Sequence, residues 1–457
     1  MVRVRLSLTQ KVDSQFEIAP VAEPRIVPMR TYSNVAIRRG RRHNEEECVF
    51  MQSVYARCCG IDVHKKLIVA CFMNGKKSEL REFSTLTSGI KELAHWLLEN
   101  DCQMAAMEST GVYWKPIYNI FELLEIPVMV VNAHHMKNVP GRKTDVKDAQ
   151  WIAQLTQCGL LRASYIPDKE QRELRDVVRY RKSLTEERSR EINRLEKMLE
   201  GANIKLSSFV SSLTGVSSRK LLDKAMTDEG VTEENITSLL HMSMREKTNV
   251  LLLAMEGVLT PVQRQLVRAI LNHIDDMTRR IEDLDNIVKE QMQKYEDEIK
   301  RLDELSGIGQ TSAQIILAEI GSDMSRFPTA GHLCSWAGLS PGNNESAKKR
   351  KGGKTTKGNK TLKSTLIQCA QSAVKNQNSF FYAQYQRLVV RRGANRAKVA
   401  VAHSMLIAIF HMLKNNVPFH DLGCDYYTKF NTQSKVNYYL SKLKELGTEV
   451  LPVPSVT

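Results

Sequence analysis

Lys143–Thr144–Asp145–Val146–Lys147–Asp148 sets two carboxylates three residues apart, at the start of the helix-like run Ala149–Cys158. Residues i and i+3 share a helix face, so Asp145 and Asp148 point at one spot. Read alone, the pair does no more than cap a helix: one Asp at the N-cap and one at N3. Two further acids argue for chemistry. Cys58–Cys59–Gly60–Ile61–Asp62–Val63 puts an Asp at the end of an apolar run, and Met104–Ala105–Ala106–Met107–Glu108 ends on a Glu. An unpaired carboxylate at the end of a core strand is costly to bury. Asp62, Glu108, Asp145 and Asp148 therefore read as one cluster of four acids, and such a cluster needs cations.

Working outward from those acids, residues 55–165 read as α/β. Tyr55–Val63 and Lys66–Phe72 are apolar strands, and Asn74–Gly75 turns the chain into a third at Glu79–Phe83. Thr87 is placed to cap a helix carrying Ile90, Leu93, Leu97 and Leu98. A strand at Cys102–Glu108, a helix at Val112–Leu124, a strand at Val128–Val131 and a helix at Lys147–Cys158 follow. A three-strand meander followed by crossover units is the layout of an RNase H-like domain. In that layout the first and fourth strands lie side by side at the sheet centre.

Asp62, Glu108, Asp145 and Asp148 match the DEDD pattern of a RuvC-like catalytic domain. Glu108–Ser109–Thr110–Gly111–Val112–Tyr113 and Lys143–Thr144–Asp145–Val146–Lys147–Asp148–Ala149 resemble one insertion-sequence transposase family in particular. Its members join an amino-terminal DEDD domain to a separate carboxy-terminal transposase domain. Gly307–Ile308–Gly309–Gln310–Thr311–Ser312–Ala313, Phe327 and Trp336–Ala337–Gly338–Leu339–Ser340–Pro341 resemble that second domain. The position of Ser346, after the Gly-Leu-x-Pro turn and behind Glu345, matches the serine of the family. The resemblance implies that Ser346 attacks the scissile phosphate and forms a phosphoserine link to DNA. It also implies composite sites, with Asp62 of one protomer facing Ser346 of another in a dimer or tetramer. A structured bridge RNA encoded beside the gene is a further implied partner, pairing with donor and target double-stranded DNA.

Between the two matched parts, residues 166–304 are helical and highly charged. Leu174, Val177, Leu184, Ile192, Leu195 and Leu199 form a stripe that Arg181 and Arg188 interrupt. A second stripe runs through Ile274, Met277, Ile281, Leu284, Val288, Tyr295 and Leu302, broken at Gln291 and Glu298. The spacing fits two coiled-coil arms, self-associating or folded back on each other, and equally a plain helical bundle. Residues 206–250 carry no clear assignment. The expected organisation is a disordered basic extension over 1–54, the RuvC-like domain over 55–165, the helical middle over 166–304, the transposase domain over 305–420 and a tail with a short helix over 421–457. Met51 is an alternative start to Met1.

Charge sharpens this division. The chain has 457 residues and a formal net charge of +15. Fifteen of its 66 Lys and Arg lie between Ser346 and His420, where there is no Asp or Glu; the other 51 balance the 51 acids. The excess is thus a local nucleic-acid surface. Lys348, Lys349, Arg350, Lys351, Lys354, Lys357 and Lys360 read as phosphate contacts on a glycine-bearing loop, joined by Arg391, Arg392 and Arg396. Phe380, Phe381, Tyr382 and Tyr385 fit either base stacking or a helix core. Gly307–Ile308–Gly309 fits a helix-hairpin-helix phosphate clamp or a tight interhelical turn. Nine cysteines without a Cys-x-x-Cys read as reduced residues of a cytoplasmic protein, nucleoid-associated when at work. No membrane span or signal peptide is expected.

Four acids would bind hard cations, most simply two Mg²⁺ ions about 4 Å apart. Acids alone suggest hydrolysis, as in a junction-resolving endonuclease. Acids with a serine suggest strand exchange, because a covalent link conserves bond energy for rejoining. A non-catalytic nucleic-acid-binding protein is the third reading, with no use for the four acids.

Overall fold

The computed structural model describes residues 53–109, 111–132, 148–342, 345–346, 349–350 and 354–447. They divide into two compact units, residues 53–128 with 148–161, and residues 129–132 with 162–447. The basic extension expected over 1–54 lies almost wholly outside the described residues.

In the first unit β1 (Arg57–Val63), β2 (Leu67–Asn74) and β3 (Lys77–Ser84) form an antiparallel meander, and β4 (Met104–Glu108) runs parallel to β1. The sheet order is β3-β2-β1-β4-β5, its last strand, β5 (Val128–Val131), lying at the boundary between the two units. Strands covered on both faces read as near-continuous apolar runs, and Cys58, Cys59, Ile61, Ala105, Ala106 and Met107 are fully buried. The hairpin turn falls one residue later than expected. Asn74 still pairs with Lys77, and Gly75 takes φ +58° at the first loop position, a left-handed value that glycine adopts without a Cβ clash.

Among the described residues this unit has three helices: α1 (Thr87–Glu99), α2 (Trp114–Leu123) and α3 (Asp148–Gln157). α1 buries Ile90, Leu93 and Leu97 as its periodicity predicts, but Leu98 is exposed and Trp96 is buried. Trp96 lies three residues past Leu93, on the same face, and meets Phe72 and Phe83 at ring separations of 5.8 and 5.7 Å. Thr87 is the first helical residue rather than the cap. The cap position falls to Leu86, which makes no side-chain bond.

The second unit is helical and begins with α4 (Lys169–Gly201), capped by Asp168, whose carboxylate accepts from the Gln171 N–H at 2.9 Å. Its partner is α8 (Pro261–Gln291), opened by a reciprocal Thr260–Gln263 capping box with Pro at the first position. The two lie antiparallel in one chain: Arg181 reaches Asp285 at 2.8 Å and, two turns on, Arg188 reaches back to Thr278 at 2.7 Å. The interrupting arginines are thus seam bonds. Arg181 is almost completely buried and also donates to Gln314 at 2.8 Å, as a buried cation must.

Each end of this helix pair enters a different core. At one end Leu195, Leu199, Leu271 and Ile274 pack with α5 (Val216–Ala225), α6 (Glu233–Leu239) and α7 (Thr248–Ala254). The 206–250 stretch is therefore a small helical module with its own apolar centre. At the other end Leu174, Val178, Val288 and Met292 join the core of the carboxy-terminal helices. Val178 takes the fully buried place that the sequence stripe assigned to Val177.

Those helices are α9 (Glu296–Asp303), α10 (Gln310–Ile320), α11 (Ala330–Trp336), α12 (Lys360–Ala373), α13 (Phe380–Arg392), α14 (Ala394–Asn415) and α15 (Tyr426–Glu445). The turn between α9 and α10 contains Gly307, at φ +89°, where a Cβ would stand 2.4 Å from the Cys369 carbonyl oxygen. Glycine there admits α12 against the turn, which makes it a tight packing joint. The absence of an apolar span expected from sequence is corrected by α14, a described helix long and apolar enough to cross a membrane. It serves as a core helix, burying Val401, Met405, Leu406 and Ile409. The expected short tail helix is corrected too: α15 has 20 residues, and its Tyr427 stacks on Phe380 at 5.6 Å. Phe381 is buried and stacked on Phe419 at 5.6 Å, so these two rings serve the core.

Candidate functional site

In the first unit, β1 and β4 pair in register from Cys58–Met104 to Ile61–Met107. One residue further sets Asp62 beside Glu108. Partners in a parallel pair present their side chains to the same face, here the face shared with Cys58 and Gly60. α3 crosses that face so closely that a Cβ on Gly60 would stand 2.2 Å from both the Ala149 oxygen and the Ala153 nitrogen. Cys58 Sγ donates to the Ala153 carbonyl at 3.5 Å. Ala153 thus lies over Cys58 and Gly60, and Ala149 over Gly60, so the helix runs against the strand direction. Its first residue, Asp148, is carried toward the Asp62 end. Asp62, Glu108 and Asp148 are all half-buried. Asp145 lies outside the described residues.

Asp62 has a neighbour that sequence reading did not single out. His64 Nε2 stands 3.1 Å from Asp62 Oδ2, with the carboxylate side chain 19% exposed and the imidazole 62%. The signal was there: residues i and i+2 of an extended chain share a face, and His64 directly follows β1. Among the described residues no three His, Cys, Asp or Glu side chains are close enough to hold a metal ion. What the fold does bring toward one end of the sheet is carboxylates from two adjacent strands, Asp62 and Glu108, and one from a helix start, Asp148.

In the second unit, Ser346 lies on a β-ribbon between α11 and α12. β6 (Glu345–Ser346) pairs with β7 (Lys349–Arg350), placing Ser346 opposite Lys349. The base of the ribbon is closed by the Pro341–Thr355 bridge and by the Gly342 N–H donating to the Lys354 carbonyl at 3.0 Å. The described part of the expected phosphate loop is therefore paired at Lys349–Arg350 and Thr355 and leads into α12, whose cap Asn359 accepts from the Leu362 N–H at 3.0 Å. Lys348 and Lys351 lie outside the described residues, and Lys349 and Arg350 are described by their backbone. Lys354, Lys357, Lys360, Arg391, Arg392 and Arg396 are exposed.

Residues 59–204 match a family model for a DEDD transposase domain of the IS110 group, described as "Transposase". Residues 299–386 match a second, described as "Transposase IS116/IS110/IS902 family". The chain belongs to the IS110 family of transposases. It is also 24% identical over 302 residues to the "Transposase for insertion sequence element IS1111A" of Coxiella burnetii (strain RSA 493 / Nine Mile phase I), covering 65% of this chain and 74% of that one. The first match spans all four acids of this transposase, and the second spans Ser346 and the bases from Lys348 to Lys360. Arg391, Arg392 and Arg396 lie beyond it.

Sequence reading also missed Glu319. It sits in the apolar run of α10, is completely buried, and binds Arg175 and Arg179 of α4. Its partners lie some 140 residues away in the chain, so no local motif reveals them.

Proposed function

We propose that this transposase excises and inserts its own mobile element by metal-assisted strand transfer through a covalent serine intermediate. Asp62, Glu108, Asp145 and Asp148 would hold divalent cations, most simply two Mg²⁺ ions. The observation that carries this reading is the β1–β4 register, which sets Asp62 beside Glu108 while α3 bears down on Gly60. The strand order supports an RNase H-like fold for the first unit. Bound there, hard cations would neutralise charge on a phosphodiester in displacement.

The chain's own groups have separate tasks. His64 orients the Asp62 carboxylate through Oδ2. Ser346 Oγ attacks phosphorus: the Oγ–P bond forms, the P–O bond to the leaving strand breaks, and the serine proton passes to that departing oxygen. The phosphoserine ester keeps the bond energy, so a second strand's hydroxyl can displace Oγ and reseal the backbone. The bases that follow Ser346 hold neighbouring phosphates. The family resemblance supports composite sites in a dimer or tetramer and pairing of both DNAs to a structured bridge RNA.

A denaturing gel tests this reading. End-labelled element DNA is expected to yield a strand that migrates with the protein, and Ser346→Ala to abolish it. Cleavage that survives Ser346→Ala without any protein-linked strand would make the protein a structure-selective endonuclease instead.

A further inference from the structure

The second unit contains a cleft of about 760 Å³. That lies within the span of small-molecule sites, about 300–1,000 Å³. Three of its lining residues, Arg175, Arg179 and Asn359, bind Glu319, which lies fully buried behind them. Arg179 grips the carboxylate twice, Nε to Oε1 at 2.6 Å and Nη2 to Oε2 at 2.7 Å. Asn359 Nδ2 donates to Oε2 at 2.6 Å, and Arg175 Nε stands 3.5 Å from the same oxygen. Arg175 also donates to the backbone carbonyls of Ala318 and Glu319.

Two guanidinium charges thus meet one carboxylate. None of the described residues lining the cleft is acidic, and Lys357 and Lys360 stand exposed on its rim. Burial pulls the Arg175 pKa down, while the hydrogen bonds to Glu319 push that of Arg179 up. Asp168 acts on Arg175 and Asp176 on Arg179 as well, but neither lines the cleft, and the Arg179 side chain, 42% exposed, is open to an entering anion.

One wall is aromatic. Tyr165 and Trp336 meet edge to face at 5.8 Å, with the Arg175 guanidinium 5.5 and 5.7 Å from their ring centres. The rim loop is fixed by two glycines packed backbone to backbone: a Cβ on Gly358 would stand 2.3 Å from the Gly338 nitrogen. The cleft is therefore built before any ligand arrives.

We propose that this cleft binds one nucleotide of an unpaired DNA strand, its phosphate against Arg179, Lys357 and Lys360 and its base against Trp336. An unpaired strand offers a free ring face next to a phosphate, and a duplex does not, because its bases are already stacked. The choice of DNA rests on the transposase reading; nothing in the inference depends on the acids or on Ser346.

Fluorescence anisotropy of the full chain tests it, using a labelled single-stranded oligodeoxynucleotide, its duplex and the matching oligoribonucleotide. Lys357→Ala and Lys360→Ala are each expected to weaken single-strand binding several-fold, lower its salt slope by about 0.7 and shift duplex binding less. Trp336→Ala is expected to cost about 5- to 150-fold on the single strand. Removing a half-buried ring also strains the fold, so Trp336→Phe supplies a second readout. Quenching of tryptophan emission by the bound strand is expected in the wild type and lost in that variant. Equal losses on duplex and single strand, quenching that persists in Trp336→Phe, or preference for the RNA strand at this cleft would each overturn the proposal. A wild type that binds through the cleft yet transfers no strand would sink the catalytic reading and leave this one standing.

Discussion

Asp62 in the first unit and Glu319 in the second treat a negative charge in opposite ways. Glu319 is fully buried and answered by two arginines and an amide. Asp62 keeps a fifth of its side chain in water and is answered by one exposed histidine. The first arrangement locks helices α4, α10 and α12 together. The second leaves Asp62 at the end of the sheet, with Glu108 in the neighbouring position of β4. A carboxylate enclosed by guanidinium groups is a fastening, whereas one on a strand end beside another acid is, on the function proposed above, a place for an incoming cation.

The contrast predicts different damage. Asp62→Asn is expected to lower strand transfer on the order of 10³-fold, the loss of several kcal/mol of transition-state stabilisation, with little change in the denaturation midpoint. A large loss of stability in that variant would break the distinction. Glu319→Ala is expected to do the reverse within the second unit. Removing one partner of a buried network costs about 3–5 kcal/mol, readable in urea unfolding.

Two smaller effects sharpen the comparison. Gly60→Ala forces α3 away from β1 and is expected to cost about 1–3 kcal/mol, the usual range for overpacking a close contact. It should also reduce activity, because α3 carries Asp148; full activity would show that α3 placement does not matter. Asn359→Ala removes the cap of α12 and one bond to Glu319, and is expected to cost about 2 kcal/mol in the same unfolding measurement.

Sequence made the acid unit readable because its signals are local. An apolar run that ends on Asp62 or Glu108 is visible to any reader, as is the glycine at the β2–β3 turn. Even there, Trp96 was overlooked because a large ring beside Leu97 reads as a neighbour rather than as the face itself. The helical unit was less legible. The stripes on α4 and α8 predicted two long helices, but the same stripes fit self-association or a fold-back. What decides it is Arg181 with Asp285, a pair 104 residues apart. Glu319 was hidden for the same reason, since Arg175, Arg179 and Asn359 are distant in sequence and neighbours only through the fold. The 206–250 stretch hides its module because short helices of Ser, Thr and Leu have weak periodicity until Leu221, Ile236 and Leu251 meet in one core.

Titration of the full chain with Mn²⁺ in place of Mg²⁺, followed by electron paramagnetic resonance, tests the central claim most directly. The wild type and Ser346→Ala should each take up the ion, while Asp62→Asn and Glu108→Gln should lose most of that uptake. If the two carboxylate variants bind Mn²⁺ as the wild type does, the end of the β1–β4 pair is not a cation site.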